Sequence, residues 1–379
     1  MFDRRKALVL TTAALLAGCK VIPTAPPSAP KPPPGPSEAL PEDQKRHRVA
    51  LLVPLTGANA QVGQSLANAT TMALLDTNAQ TIRITTYDTG TDPAEAARKA
   101  MKDGNRLILG PLSSDDAGPV AKAARTAKVP MIAYANDAAL AAPDLFVMGV
   151  SPRNAVDRIV AFASKQGLKR FALLYPSGDY GARAKAAFSQ SVGKVGGTLV
   201  ASESYDRSNT SIVSAAQRLK SKGGFDAVLI ADSARFGALA APQLKPKGAS
   251  KPRILGTELW SGESVVTTTA ALRGAWFPAI SDTRFRQFGE SYKARFDGAP
   301  YRLATMGYDS VLLSVRIARD WKPGTAFPLA RLSDPDGFLG LDGPFRFSAT
   351  GEGERALEVR EVRAGSIAII SPAPDKFTP

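Results

Sequence analysis

From Arg48 onward, short apolar runs alternate with stretches of helical spacing, and no other feature of the chain restricts its fold as strongly. Val49-Ala50-Leu51-Leu52-Val53 has no polar interruption, the pattern of a strand buried on both faces. Pro54 and Gly57 end that run. Residues 65–75 then carry Leu66, Ala69, Met72 and Ala73 at helical spacing. Residues 82–87, 107–109 and 130–134 read as further strands, and residues 114–127 as a helix. Asp92-Pro93 opens another helix, with Asp at the N-cap and Pro at the first helical position. After Ser151-Pro152 the alternation starts again, with strands at 171–175, 199–205, 227–231 and 254–255 between helical stretches. Two long helices, 284–296 and 303–319, and a β-rich end complete the chain. Repeated βα units imply parallel sheets with helices on both faces. Two such sets predict an α/β protein of two doubly wound parallel-sheet lobes.

The N-terminal part follows a different logic. Arg4, Arg5 and Lys6 precede an apolar run over residues 7–16, too short for a permanent span of about 20 residues. Leu16-Ala17-Gly18-Cys19 resembles the bacterial lipobox, which implies cleavage before Cys19 and lipidation of its thiol. Cys19 is the single cysteine, so the folded part has no internal disulfide. Nine prolines fall in residues 20–41, a composition that favours extended polyproline geometry over a packed core. This spacer, taken as 20–47, would hold the folded part roughly 60–70 Å from its anchor. Lys20 after the cysteine, where Asp would mark inner-membrane retention, points to a periplasmic protein anchored in the outer membrane rather than the inner one.

The net charge of +14 is not a nucleic-acid signature. Residues 49–379 carry 40 basic and 30 acidic side chains, scattered along helices without a run of five like charges. A nucleic-acid surface would cluster its cations and interleave aromatics.

In this setting the residues resemble the type I periplasmic binding proteins of the branched-chain-amino-acid group. The likeness rests on Val53-Pro54-Leu55-Thr56-Gly57 with Gln61 and Gly63, then Asp92-Pro93-Ala94-Glu95-Ala96 and Gly110-Pro111-Leu112-Ser113-Ser114. Val129-Pro130-Met131-Ile132, Asp179-Tyr180-Gly181, Gly307-Tyr308-Asp309 and Gly343-Pro344-Phe345 follow in the family's order. The resemblance implies two lobes joined by three crossing strands, with a ligand held between them. It divides the chain into lobe 1, residues 48–150 and 281–340, and lobe 2, residues 151–280 and 341–379. It also implies a set of ligand contacts. Ser113, Ser114, Ala135 and Asp137 align with positions that hold the ligand's carboxylate, Glu258 with the acid that pairs with its ammonium, and Tyr180 with a residue laid onto it. Asp137 departs from the family's usual threonine, and an ionised Asp beside a ligand carboxylate is repulsive. Asp115 and Asp116 already occupy the first turn of the helix after Ser113, and Val62 replaces an aromatic cover. A tight leucine site is therefore not expected; a ligand with a cationic or hydroxyl group near Asp137, or no small ligand at all, fits better.

Nothing in the sequence assembles an active site. His47, the sole histidine, is placed in the spacer, so no His-dependent nucleophile or metal set is expected in the folded part. Ser191-Val192-Gly193-Lys194 satisfies S-x-x-K without companion motifs. Asp334-Pro335-Asp336-Gly337 hints at calcium, but Phe345 stands where the loop needs Glu, so it reads as a turn. The expectation is a non-enzymatic protein without cofactor or metal, taking a small amino-acid-like ligand as a solute-binding component of transport. The alternative is an outer-membrane activator of a penicillin-binding protein, which shares the fold and acts by protein contact. Residues 231–244 and 255–260 resemble that branch.

Overall fold

The computed structural model describes residues 45–244 and 252–377. Cys19 and most of the proline-rich segment lie outside the described residues. Among the described residues, no helix is long and apolar enough to cross a membrane.

Lobe 1 opens with β1 (His47–Val53), α1 (Ala60–Thr77), β2 (Ile82–Asp88), α2 (Pro93–Lys102) and β3 (Leu107–Leu109). It continues through α3 (Ser114–Thr126), β4 (Met131–Ala133) and β5 (Leu145–Val147). The five strands form one sheet in the order β2-β1-β3-β4-β5, each neighbouring pair parallel. Strand periodicity explains the unbroken run at 49–53. Val49, Leu51 and Val53 enter one buried cluster with Leu66 and Val311, while Ala50 and Leu52 enter another with Ala97 and Val120.

Lobe 2 contains α4 (Pro152–Lys165), β6 (Arg170–Pro176), α5 (Asp179–Lys194), β7 (Thr198–Tyr205), α6 (Ser211–Lys222) and β8 (Ala227–Ile230). It goes on with α7 (Ala234–Leu244), β9 (Arg253–Leu255) and β10 (Trp276–Ala279). The chain then returns to lobe 1 for α8 (Thr283–Phe296), α9 (Ala304–Ala318) and the strands β11 (Phe338–Gly340), β12 (Gly343–Phe347) and β13 (Gly353–Arg355). It ends in β14 (Glu358–Arg363) and β15 (Ser366–Ser371), which complete a seven-stranded sheet of order β15-β14-β10-β9-β8-β6-β7. Its parallel body, β6 to β10, carries two antiparallel strands at one edge.

Capping follows the sequence. Asp92 Oδ1 accepts from Glu95 N at 2.9 Å, with Pro93 at the first helical position. In the Gly307-Tyr308-Asp309 landmark, Gly307 lets α9 lie against α1, since a Cβ there would meet Leu66 O at 2.6 Å. Asp334–Gly337 is a turn, closed by Gly337 N to Asp334 O at 3.0 Å.

Two expectations are corrected. Residues 341–379 were expected to belong wholly to lobe 2, with lobe 1 ending at 340. Phe345 and Phe347 instead lie in the lobe 1 core beside Leu51 and Phe146, and Val147 N donates to Gly351 O at 2.9 Å. The third passage between lobes therefore falls between Arg355 and Glu358. His47, expected in the 20–47 spacer, is the first residue of β1. Its ring stacks on Trp321 with centroids 3.8 Å apart, and burial lowers its pKa.

Candidate ligand-binding cleft

In open parallel sheets, ligands meet the loops beyond the carboxyl ends of the strands. Ser113 and Ser114 follow β3, Ala135 and Asp137 follow β4, Tyr180 follows β6, and Glu258 follows β9. All six expected contact residues thus stand just beyond strand ends, Ser114 and Tyr180 in the first turns of the helices that follow, and they fall on two rims, one per lobe. Arg183 Nη2 of α5 approaches Asp137 Oδ2 at 3.7 Å, so the rims meet within ion-pair distance.

The lobe 1 rim is bonded mostly to itself. Gly110 holds φ +100°, and a Cβ there would meet Leu52 O at 2.1 Å, so the turn into Ser113 requires glycine. Ser113 Oγ accepts from Asp116 N at 3.1 Å and is the N-cap of α3; Ser114 is that helix's first residue. Asp115 and Asp116 occupy the first turn, where their charge satisfies the helix dipole. The Ala135 carbonyl accepts from Gly149 N at 3.0 Å. Asp137 Oδ1 accepts from Ala139 N at 3.0 Å, capping a short 3₁₀ turn, and its other oxygen faces Arg183. Asp88 ties two rim loops together, accepting from Leu55 N at 2.7 Å, Thr56 Oγ1 at 2.8 Å and Gly90 N at 2.8 Å.

The lobe 2 rim has a bonded base and an unbonded lip. Asp232, buried at the end of β8, accepts from Tyr205 Oη at 2.6 Å, Arg207 Nε at 2.8 Å and Arg207 Nη2 at 3.0 Å. Arg207 also lies 5.1 Å from the Tyr180 ring centroid, a cation–π arrangement. Trp260, fully buried, donates to Asp232 O at 2.9 Å and floors the segment that carries Glu258. Above this base, Tyr180 Oη, Thr257 Oγ1 and Glu258 Oε2 are buried without a hydrogen-bond partner. Burial pushes the Glu258 carboxyl up to about 7, against a smaller opposing effect of its own backbone N–H. Burial also raises Tyr180, and the nearby Glu258 and Asp232 carboxylates raise it further.

Thr257, Arg183, Arg207, Asp232 and Tyr205 were not singled out from sequence. Their shared signal is position, because most stand at or just after the end of a lobe 2 strand. Among the described residues, no group of three or more His, Cys, Asp or Glu is placed to hold a metal.

The match to known proteins agrees with this architecture. Residues 47–366 match the family described as periplasmic binding protein, and the chain belongs to that family. A Rhodospirillum rubrum protein assigned to branched-chain amino acid ABC transport superposes with a TM-score of 0.74 at 21% identity, covering 86% of this chain and 100% of that one. The Streptococcus pneumoniae branched-chain amino acid binding protein LivJ, in complex with isoleucine, gives 0.60 at 20%, covering 86% and 100%. A Rhodopseudomonas palustris BisB5 solute-binding protein in complex with 3,4-dihydroxybenzoic acid gives 0.61 at 21%, covering 88% and 97%. At these identities the likeness establishes the fold, two α/β lobes of the type I kind. An uncharacterized protein of Rickettsia prowazekii (strain Madrid E) is 32% identical over 142 residues, 37% of this chain and 38% of that protein. The chain therefore spans under half the length of that relative.

Proposed function

We propose that the protein captures a small amino-acid-like ligand between its lobes, as the extracytoplasmic solute-binding component of a transport system, and catalyses no reaction. The observation that carries this reading is the unpartnered set Tyr180 Oη, Thr257 Oγ1 and Glu258 Oε2. An unsatisfied buried polar group costs about 1–3 kcal/mol. The Tyr180 and Thr257 hydroxyls lie close enough to influence each other, and with the Glu258 carboxyl they form a polar lip whose oxygens a bound donor can bond. A ligand ammonium supplies three N–H donors and a positive charge, which matches two hydroxyl oxygens and a carboxylate. Solved relatives hold isoleucine in one case and a dihydroxybenzoic acid in another, so the fold leaves ligand choice to the rims. Lipidation at Cys19 and a long spacer would keep the cleft near the membrane, on the outer-membrane side by the Lys20 reading.

Titration calorimetry of the full chain in detergent at pH 8, against a panel of amino acids, amines and deaminated analogues, tests the reading. Ammonium-bearing compounds should bind with one-to-one stoichiometry and lose affinity in Glu258→Gln. If deaminated analogues bind equally well to both proteins, the ammonium assignment fails. If no panel member binds while a penicillin-binding protein does, the activator alternative replaces it. Mass spectrometry of the mature chain checks the anchor, with an unmodified Cys19 removing it. Turnover of any panel compound that disappears on mutating one rim residue would overturn the non-enzymatic reading.

A further inference from the structure

A second cavity lies away from both rims, between the N-terminal half of α4 in lobe 2, the β12–β13 hairpin of lobe 1 and the segment around Lys376. Its volume is about 890 Å³, within the usual range for small-molecule sites. Six basic side chains line it, Arg153, Arg158, Lys194, Arg346, Arg355 and Lys376, against three carboxylates, Asp157, Glu352 and Glu354. Arg355 turns its guanidinium into lobe 1, toward Asp309 at 3.6 Å and Asp342 at 3.8 Å. The acids are committed within the wall: Glu354 to Arg346 at 2.8 Å, Asp157 to Lys194 at 3.3 Å, and Glu352 loosely to Arg153 at 3.9 Å.

The remaining charge is informative. Arg158 bonds only neutral oxygens among the described residues: Nε donates to Leu357 O at 2.7 Å and Nη2 to Ser371 Oγ at 2.7 Å. Burial lowers its pKa, and no carboxylate opposes that effect. A half-buried guanidinium without a counter-charge, on the wall of a cavity with surplus cations, is an arrangement that an anion stabilises. The first turn of α4, capped by Ser151, adds its positive dipole end at the same wall.

We propose that this cavity is a binding site for a compact polyanion carrying two or more phosphate or carboxylate groups, separate from the cleft. Its walls come from both lobes, and Asn154 Oδ1 of α4 already accepts Arg355 N at 3.1 Å where the chain crosses. An anion bridging Arg153 or Arg158 to Arg346 therefore ties lobe 2 to the lobe 1 hairpin and couples to the angle between lobes.

Titration calorimetry of the full chain in detergent at low ionic strength, with inorganic pyrophosphate and citrate as separate probes, tests the site. Saturable one-to-one binding of at least one probe is expected, weakening as salt rises. Arg158→Gln should lower affinity tenfold or more. Because Arg158 also holds the β14–β15 edge, the double variant Arg153→Gln/Lys376→Gln provides a second test, with an expected loss of at least fivefold. Arg183→Gln, in the cleft, removes no group from this cavity, so it should shift anion affinity only through the lobe angle and by far less than the double variant. Absence of saturable binding by either probe overturns the proposal, as does unchanged affinity in the double variant. Loss of binding in Arg183→Gln also overturns it, by placing the anion in the cleft. These outcomes are independent of whether an ammonium ligand binds at Glu258.

Discussion

The two rims solve the same structural problem differently. In lobe 1, Ser113 and Asp137 cap helical turns, the Ala135 carbonyl bonds Gly149, and Asp88 ties two loops. Among the described residues of that rim, Thr89 Oγ1 is the buried side-chain atom left unpartnered. In lobe 2, Tyr180, Thr257 and Glu258 all keep such an atom above a fully bonded base. A rim whose polar groups bond each other is stable alone and has little left to offer a ligand. A rim that leaves buried groups unsatisfied sacrifices stability for recognition, a trade expected at functional sites. Under the proposed function, ligand recognition falls chiefly to lobe 2, although four of the six residues aligned with family contacts stand in lobe 1.

The largest effect that sharpens this contrast is at Glu258. Glu258→Ala should weaken an ammonium-bearing ligand by about a hundredfold, roughly 2.7 kcal/mol, measured by calorimetry at pH 8. The pH dependence has a definite sign. The Glu258 carboxyl is raised to about 7 when folded, so the unfolded chain loses this proton first as pH rises from the ordinary carboxylate range. Stability from this group therefore falls as pH rises toward about 7 and stays lower above it. Asp309, fully buried and raised by burial and then by Asp342, tilts stability in the same direction. The variant isolates Glu258: Glu258→Gln should gain thermal stability relative to wild type at pH 8 and gain least at pH 5. Binding of a cation restores the ionised form, so affinity should strengthen from pH 5.5 to pH 8. A pH-independent affinity would remove Glu258 from the site.

The next effect lies where the rims meet. Threonine can take over the cap that Asp137 provides, so Asp137→Thr should cost little stability. It removes a negative charge near the expected carboxylate position and releases Arg183 from its 3.7 Å partner. Calorimetry should show neutral amino acids binding on the order of tenfold tighter, about 1.4 kcal/mol, with the gain lost on adding Glu258→Ala. An exposed ion pair is worth at most about 1 kcal/mol, so a much larger gain would mean the Asp137 carboxylate touches the ligand. Tight leucine binding by the wild type would instead show that Asp137 does not face the ligand.

The parallel units were legible because each is local: an apolar run, a turn residue and an amphipathic helix within a short window. Asp92 was readable as a cap for the same reason. Antiparallel strands at the C-terminus lack that local signature, so the lobe of Phe345 and Phe347 was decided by contacts with Leu51 and Phe146, distant in sequence. His47 was misplaced because its stacking partner, Trp321, comes from the far end of lobe 1. In the cleft, alignment with the family named Glu258 and Tyr180, but whether a carboxyl or hydroxyl is already bonded is a property of the folded neighbourhood. Asp137 shows the point: its residue type suggested repulsion, while its observed bonds are a backbone N–H and Arg183.

The smallest expected effect is the most discriminating test of the contrast. Ser113 aligns with a residue that holds the ligand's carboxylate, yet its oxygen already accepts from Asp116 N at 3.1 Å. Toward a carboxylate it can offer only its hydroxyl proton, beside two first-turn carboxylates that oppose an incoming anion. Ser113→Ala should therefore act on α3 rather than on the ligand, costing about 1 kcal/mol of stability as N-cap losses do. Ligand affinity in the same variant should change by less than about twofold, roughly 0.4 kcal/mol. Denaturant unfolding and calorimetry on one preparation separate the two quantities. A tenfold loss of affinity with the cap cost unchanged would show the hydroxyl donating to the bound ligand. The lobe 1 rim would then be a partner in recognition, and its internal bonds a resting arrangement that the ligand replaces.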